Sequence, residues 1–406
     1  MTRLPLSRLI LLWLAGVDLR VTLLAIPPLL PLIHHDVHLN ETAVAALIGL
    51  PVLLLAAGAT VGSMIIGRFD ARRVIIFGLF VIGVSSALRG VGPSAAALFG
   101  MTFMMGAGIA IIQPAFPAMV YHWAPNHLGL ATAVYTNGLI VGEIVSTGLT
   151  TQFVVPIVGG WRLALVFWSL FPPITAALLL WLTPPLRATA GLGSRSRWPD
   201  FRAGLTWRLG LMQGGTSIIY FGANAFFPDY LHTVGATGLI GPSLAWLSAG
   251  QLPASIVVAM FPKAFVGRGW PVQVAAVLTA VSLGVFFIPH PWGRELGAAL
   301  LGFTSAFAFV LALAFPPLLA ADSNDVHRIS AGMFTIAYSL AFTLPLIGGA
   351  AWDRTGIAAT SLIPVAVGSL CLLLGPIGLV SLRHDSRPST NSAAEATDPA
   401  IAPKPL

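Results

Sequence analysis

The chain has 406 residues, of which 56% are hydrophobic and only 9% are charged. A soluble domain carries about 25% charged residues, so this composition excludes an ordinary soluble protein and predicts a surface that faces lipid. The net charge of +7 would suit a nucleic-acid-binding protein, but the basic residues are spread along the chain and form no concentrated patch, which excludes that class.

Apolar segments of about 20 residues, the length that an α-helix needs to cross a bilayer, recur along the whole chain. They are too long for barrel strands and lack the alternation of such strands. We therefore predict an all-α membrane protein with twelve transmembrane helices, at approximately 9–33, 42–66, 74–91, 95–120, 128–155, 161–182, 207–230, 239–262, 270–289, 294–319, 329–351 and 358–382.

The distribution of basic residues predicts cytoplasmic N- and C-termini. Sixteen of the 21 basic residues then lie on the cytoplasmic side, as the positive-inside rule requires: Arg3, Arg8, Arg68, Arg72, Arg73, Arg187, Arg195, Arg197, Arg202, Arg208, Lys263, Arg268, Arg328, Arg383, Arg387 and Lys404. The opposite side receives Arg89, Arg162, Arg294 and Arg354. The first segment is too long for a cleaved signal peptide and lacks a small-residue cleavage site, so we interpret it as a retained helix.

The polar interruption at 183–206 divides the chain into two sets of six segments. Short matches recur about 200 residues apart, such as "GR" at 67–68 and 267–268 and "AFP" at 115–117 and 314–316. An even number of helices in each half gives both halves the same orientation in the membrane. Such halves can rock against each other around a central site. We predict an N-terminal bundle at 1–182, a cytoplasmic linker at 183–206, a C-terminal bundle at 207–382 and a disordered tail at 383–406.

Two charged residues, Asp18 and Arg20, lie in the first apolar segment. A charge there costs about 2.5–3.5 kcal/mol on insertion scales, so each needs a partner or a function. The planar fork of Arg20 suits a small planar anion, although a structural salt bridge is the alternative. The side chains of Asp18 and Arg20 point to nearly opposite faces of a helix, and for Asp18 we favour a structural role over proton carriage.

Glu143 lies near the centre of the fifth segment, at a depth similar to that of Arg20. It could carry a coupling proton or serve as the counter-ion of Arg20, and the sequence favours neither. If it is the counter-ion, a solute anion and Glu143 compete for Arg20, and protonation of Glu143 would release the arginine.

Further polar side chains interrupt apolar segments and need hydrogen-bonding partners. They either line a cavity or join helix to helix, and our candidates for solute binding are Tyr135, Asn137, Tyr220, Asn224 and Tyr338. Gln113 and Gln251 are weaker candidates. Glycines at four-residue spacing, Gly58 with Gly62 and Gly138 with Gly142, predict close helix packing.

Other motifs predict no further chemistry. The stretch "HHDVH" at 34–38 has ligand types that zinc uses, but no second ligand set is adjacent, and we interpret it as a solvated loop. Cys371 is the only cysteine, which excludes an intrachain disulfide. Nucleotide-binding and hydrolase motifs are absent. We therefore expect no metal, no cofactor and no enzyme activity.

Four stretches carry a resemblance to a known family: "DLRVTLLAIPPLL" (18–30), "GRFDARRVI" (67–75), "ATAVYTNGLIVG" (131–142) and "RISAGMFTIAYSLAFTLPLIGGAAWDRTG" (328–356). Together they resemble the major facilitator superfamily and, within it, the cyanate/nitroimidazole transporters. Asp18 stands where that family usually has Asn. The resemblance implies an anion-binding role for Arg20 and a gating loop with Arg68, Asp70, Arg72 and Arg73.

We therefore predict a monomeric secondary transporter in the inner membrane of a bacterium, working by alternating access on a small anionic or planar polar solute. Protons are candidate coupling ions, and the lipid bilayer is the other partner. The alternatives are an exporter of small organic compounds, a non-transporting receptor or scaffold, and a membrane enzyme.

Overall fold

The computed structural model describes residues 6–66, 71–92, 94–113, 115–123, 128–184, 201–319 and 323–377. These residues form helices joined by short connections, with no strand among them. The all-α prediction is therefore confirmed. The predicted linker at 183–206 lies mostly outside the described residues, and the predicted tail at 383–406 lies wholly outside them.

The helices of the first half of the chain are α1 (Leu6–Leu24), α2 (Leu30–Val37), α3 (Glu41–Ile66), α4 (Ala71–Val91), α5 (Ala95–Ile112), α6 (Ala115–Trp123), α7 (Leu128–Leu149), α8 (Val155–Val158), α9 (Trp161–Ser169) and α10 (Phe171–Leu182). Those of the second half are α11 (Gly204–Thr233), α12 (Ile240–Ala249), α13 (Gln251–Met260), α14 (Pro262–Phe265), α15 (Trp270–Phe286), α16 (Pro291–Leu319), α17 (Ser323–Thr355) and α18 (Ile363–Leu374).

Within the described residues, the predicted apolar segments overlap these helices, singly or as consecutive pairs. Eight helical spans among the described residues are long and apolar enough to cross a membrane, and two shorter apolar helices occupy 270–286 and 358–374. Several segments are broken where the sequence explains it. Pro27 and Pro28 lie in a short 3₁₀ turn between α1 and α2, since proline lacks the N–H that a continuous helix uses.

The helix α11 runs through the interior of the protein. Every residue from Met212 to Leu231 is buried, whereas a peripheral helix would expose one face. Because this helix is enclosed by other helices, its polar residues can find protein partners instead of facing lipid. The Tyr220 hydroxyl, for example, donates to Glu143 of the first half.

Close glycine contacts join α1 to α7. A Cβ atom added to Gly138 would lie 2.3 Å from the Trp13 carbonyl oxygen, and one added to Gly142 would lie 2.5 Å from the Val17 carbonyl oxygen. The backbones therefore approach more closely than any larger residue allows. The packing role predicted for Gly138 and Gly142 is confirmed.

The two halves of the chain meet along α3 with α17 and along α7 with α12. We call the end of the molecule where α2 ends and α3 begins the distal face. The Asp353 carboxylate, near the end of α17, accepts hydrogen bonds there from the backbone N–H groups of Glu41 and Thr42, at 3.0 and 3.1 Å. The Thr42 hydroxyl donates to the same carboxylate. This cross-half contact closes the distal face.

Contacts between the halves continue inward from the distal face to the middle of the bundle. Gly241 approaches the Thr151 hydroxyl, and the Gln251 side chain reaches Glu143. On the other side of that level, Asn137 in α7 and Gln113 at the end of α5 are exposed.

Candidate functional site

The candidate site is centred on the carboxylate of Glu143, which four helices surround. Arg20 in α1 forms an ion pair with it, with Nη1 3.2 Å from Oε1. The other oxygen, Oε2, accepts hydrogen bonds from the Tyr220 hydroxyl in α11 at 2.8 Å and from Gln251 Nε2 in α13 at 2.6 Å. One carboxylate thus joins both halves of the chain.

The carboxylate and its cation differ in exposure. The side chain of Glu143 is 4% exposed, whereas that of Arg20 is 22% exposed. A guanidinium has five N–H donors, and the contact with Glu143 uses only part of them. Part of the Arg20 guanidinium is therefore exposed beside the ion pair.

Close packing fixes the position of this ion pair. Glu143 directly follows Gly142, which packs against the backbone of α1 at Val17. The Glu143 carbonyl also accepts hydrogen bonds from the Ser146 and Thr147 hydroxyls, one turn further along α7. The distance between the two helices at this depth is therefore set by glycine, and it brings Arg20 within reach of Glu143.

Tyr338 in α17 completes the central group. Arg20 acts electrostatically on the Tyr338 phenol, which also interacts with the Gln113 side chain. The ring of Tyr338 stacks on Phe334, with centroids 5.5 Å apart. Arg20, Glu143, Tyr220 and Tyr338 therefore come together in the structure, with Gln251 and Gln113 beside them.

The other candidate residues lie around this group without joining it directly. Tyr135 stacks on Phe116, with ring centroids 5.0 Å apart, and Asn137 accepts a hydrogen bond from Trp13 Nε1 at 3.0 Å. Asn224 is fully buried and donates to the Tyr220 carbonyl of its own helix. Its side-chain oxygen has no hydrogen-bonding partner among the described residues.

Asp18 lies outside the central group. It is 2% exposed, and the Thr175 side chain in α10 interacts with it. Among the described residues, no basic side chain lies within 4.0 Å of the Asp18 carboxylate. Asp18 and Arg20 thus face different neighbours, as their helical spacing predicts.

The predicted gating loop is described only in part, since Arg68 and Asp70 lie outside the described residues. Arg72 is buried and bonds within the first half of the chain. Its Nε donates to the Thr183 hydroxyl at 2.8 Å, and its Nη2 donates to the carbonyls of Leu179 and Leu180 at the end of α10. Arg73 is exposed.

Our sequence analysis missed two features. The sequence assigns Arg89 to the side opposite the cytoplasm but does not predict its burial: it is 1% exposed and donates to the Thr22 carbonyl of α1 and the Ser86 hydroxyl. We ranked Gln251 below the tyrosines, yet it contacts Glu143 directly. The "LP" at 252–253, directly after Gln251, repeats the "LP" at 50–51. This repeat identifies corresponding segments of the two halves, but it does not predict the contact with Glu143.

Comparisons with known proteins agree with this architecture. The family model of the Major Facilitator Superfamily matches residues 9–350. The 2-nitroimidazole transporter of Escherichia coli (strain K12) is 28% identical, over 90% of this chain and 92% of the relative. The cyanate transport protein CynX of the same organism is 25% identical, over 90% of this chain and 94% of the relative. These relatives confirm the resemblance that four sequence stretches indicated.

Among solved structures, a D-xylose–proton symporter superposes with a TM-score of 0.72 at 15% sequence identity. The match covers 93% of this chain and 97% of the symporter. At this level of identity the likeness concerns the fold.

Proposed function

The chain belongs to the Major Facilitator Superfamily and is a multi-pass membrane transporter of small solutes, and from this premise we propose that it carries a small anionic or planar polar solute bound at Arg20. The observation that carries the proposal is the arrangement of Arg20, paired with the buried Glu143 and still accessible to solvent. Such a guanidinium offers a planar, charged fork at the level where the two halves meet.

The relatives support the choice of solute class. A transporter of 2-nitroimidazole and a cyanate transport protein are similar over nine-tenths of the chain. One name denotes a small anion and the other a planar nitro compound, and a guanidinium donates hydrogen bonds to acceptors of both kinds. Tyr338 interacts with both Arg20 and the Gln113 side chain, and we propose that Tyr338 and Gln113 contact the solute from the second and first halves of the chain.

We propose that Glu143 couples transport to protons. The solute and Glu143 compete for the donors of Arg20, so protonation of Glu143 favours solute binding, and solute release favours the return of the ion pair. Tyr220 and Gln251 bind the ionised carboxylate from the second half. Deprotonation of Glu143 therefore also draws the two halves together at the depth of the Arg20–Glu143 pair.

We also propose the topology predicted from the sequence: two six-helix bundles, at 1–182 and 207–382, with cytoplasmic termini in a bacterial inner membrane, acting as a monomer. One observation supports the orientation that the positive-inside rule predicts. Arg89 and Arg294, two of the four arginines on the distal side, are buried in helices. Their charges do not belong to distal loops, which sharpens the charge difference between the two faces.

The test is solute flux into proteoliposomes under an imposed pH gradient, with cyanate, other small anions and nitroimidazoles as candidates. Arg20→Lys keeps the charge but loses the planar fork, and we expect it to lose most of the flux. Glu143→Gln should keep solute binding but lose its dependence on pH. Arg354→Lys, at an exposed position outside the predicted gating loop, is the matched control. Normal flux in Arg20→Ala, or full pH dependence in Glu143→Gln, would refute the respective assignment.

A further inference from the structure

Four titratable side chains from both halves of the chain meet at the closed distal face. His34 near the end of α2 lies beside Glu41 at the start of α3, with Nδ1 3.8 Å from Oε1. Asp229 near the end of α11 approaches the same nitrogen, with Oδ2 3.9 Å away. Asp353 also acts electrostatically on His34. The proposed function uses none of these four side chains.

The two carboxylates that face His34 are buried, and one oxygen of each accepts no hydrogen bond from the described residues. Glu41 is 8% exposed and Asp229 is 5% exposed, and Oε2 of Glu41 and Oδ2 of Asp229 have no hydrogen-bonding partner among the described residues. His34 is the one basic side chain within 4.0 Å of either carboxylate in the described chain. Buried carboxylate oxygens without partners are costly, and a cation would satisfy both.

Asp353 differs from these two carboxylates because its oxygens are occupied. They accept from the backbone N–H groups of Glu41 and Thr42 and from the Thr42 hydroxyl. Asp353 therefore contributes negative charge and a fixed backbone at this site, while Glu41 and Asp229 retain free lone pairs. Three carboxylates thus surround one imidazole, and a divalent cation would neutralise this excess of negative charge.

We propose that His34, Glu41 and Asp229 form a binding site for a divalent transition-metal cation such as Zn²⁺, which bridges the two halves at the distal face. One imidazole nitrogen and two carboxylate oxygens are ligands that zinc uses. The three ligand atoms all lie within 4.8 Å of one another. Ligands of a tetrahedral zinc lie roughly 3.3 Å apart, so small side-chain rotations complete the site.

A cation can reach this site, and once bound it would affect the movement of the two halves. The His34 side chain is 34% exposed, which gives a cation a route from the distal side. His34 and Glu41 belong to the first half and Asp229 to the second, so a bound cation holds the distal face closed. A ligand at 100 times its dissociation constant favours the state that binds it by about 100-fold. The cation thus acts as an inhibitor of alternating access.

The first experiment measures Zn²⁺ binding to the full chain in nanodiscs by isothermal titration calorimetry. We expect one site, with affinity at least tenfold lower in His34→Ala, in Glu41→Gln and in Asp229→Asn. His35→Ala is the matched control, because the neighbouring histidine is 90% exposed and pairs with Asp36, which is not a proposed ligand. Undiminished binding in the three variants, or an equal loss in His35→Ala, would overturn the proposal.

The second experiment measures the distal face directly. Spin labels at Ile157→Cys and Val234→Cys, both exposed, in a Cys371→Ser background report the distance between the halves. Zn²⁺ should reduce the population with a long distance in the parent chain, and it should leave that population unchanged in Asp229→Asn. A distance that responds to pH but not to Zn²⁺ would show that protons alone occupy the cluster, and it would overturn the metal site.

Discussion

Arg20 and Glu143 form an ion pair at the level where the two halves of the chain meet, with Nη1 3.2 Å from Oε1. The same carboxylate is bound by Tyr220 and Gln251 from the other half. A buried ion pair is stable only when its remaining lone pairs find donors. Tyr220 and Gln251 supply these donors, so the charge state of one side chain is linked to the contact between the halves.

Loss of the Tyr220 hydroxyl should weaken that link. We expect Tyr220→Phe to cost about 1.5–3 kcal/mol, because hydrogen bonds to charged groups contribute this amount. The measurement is thermal unfolding of the purified protein in a double-mutant cycle with Glu143→Gln. The cost of Tyr220→Phe should fall when Glu143 is already neutral, and an unchanged cost would show that the bond contributes little.

The separation of α1 from α7 should depend on the absence of a side chain at position 142. In Gly142→Ala the new methyl group would meet the Val17 carbonyl oxygen at 2.5 Å, so the helices must move apart. We expect a loss of 1–3 kcal/mol, typical of overpacking, and a marked loss of solute flux. Gly100→Ala in α5 is the control, because no atom lies within 4 Å of the added Cβ. Equal behaviour of the two variants would contradict this account.

Arg72 should act as a structural residue within the first half. Its bonds to Thr183 and to the last carbonyls of α10 place a cation where the helix dipole is negative. Arg72→Ala should lower the melting temperature by several degrees, since about 1.5–3 kcal/mol is lost with a charged hydrogen-bond donor. The adjacent exposed Arg73→Ala should melt like the parent protein. A stable Arg72→Ala that has lost transport would instead support a role in gating.

Asp353 should favour the closed distal face. Replacing a helix-capping carboxylate by alanine costs about 1 kcal/mol, which corresponds to roughly a fivefold larger population of the open distal face. Distances between spin labels at Ile157→Cys and Val234→Cys measure that population in Asp353→Ala. The neighbouring exposed Arg354→Ala serves as the control and should leave the distances unchanged. No change in Asp353→Ala would mean that other contacts alone close this face.

Much of the architecture follows from the sequence, because apolar length and glycine spacing are local properties. The helical segments, the depth of Arg20 and Glu143, and the close approach at Gly138 and Gly142 were all predictable. The pairing of Glu143 with Tyr220 was not, because it depends on how two distant helices are rotated about their axes. The pattern of a single sequence does not determine how two distant helices are rotated relative to each other.

The same limit explains the errors at charged positions. Arg89 is near the end of an apolar segment, where a surface position is the simpler expectation, yet its guanidinium lies inside the first half. His34 had no visible partner in "HHDVH" because Asp229 comes from another helix far along the chain. The polar residues that need partners can be identified from the sequence, but the identity of each partner is seen only in the fold.

The contact between Asp353 and the start of α3 has a consequence for the moving parts of the protein. Two backbone N–H groups in the first turn of α3 donate to the Asp353 carboxylate of the opposite half, while the N–H of Ala43 donates to the Asn40 side chain beside it. When the distal ends separate, the amides of Glu41 and Thr42 must turn to water. The helix itself loses no internal hydrogen bond, because the first N–H groups of an α-helix have no intrahelical acceptor, so separation of the halves exchanges a protein cap for a water cap.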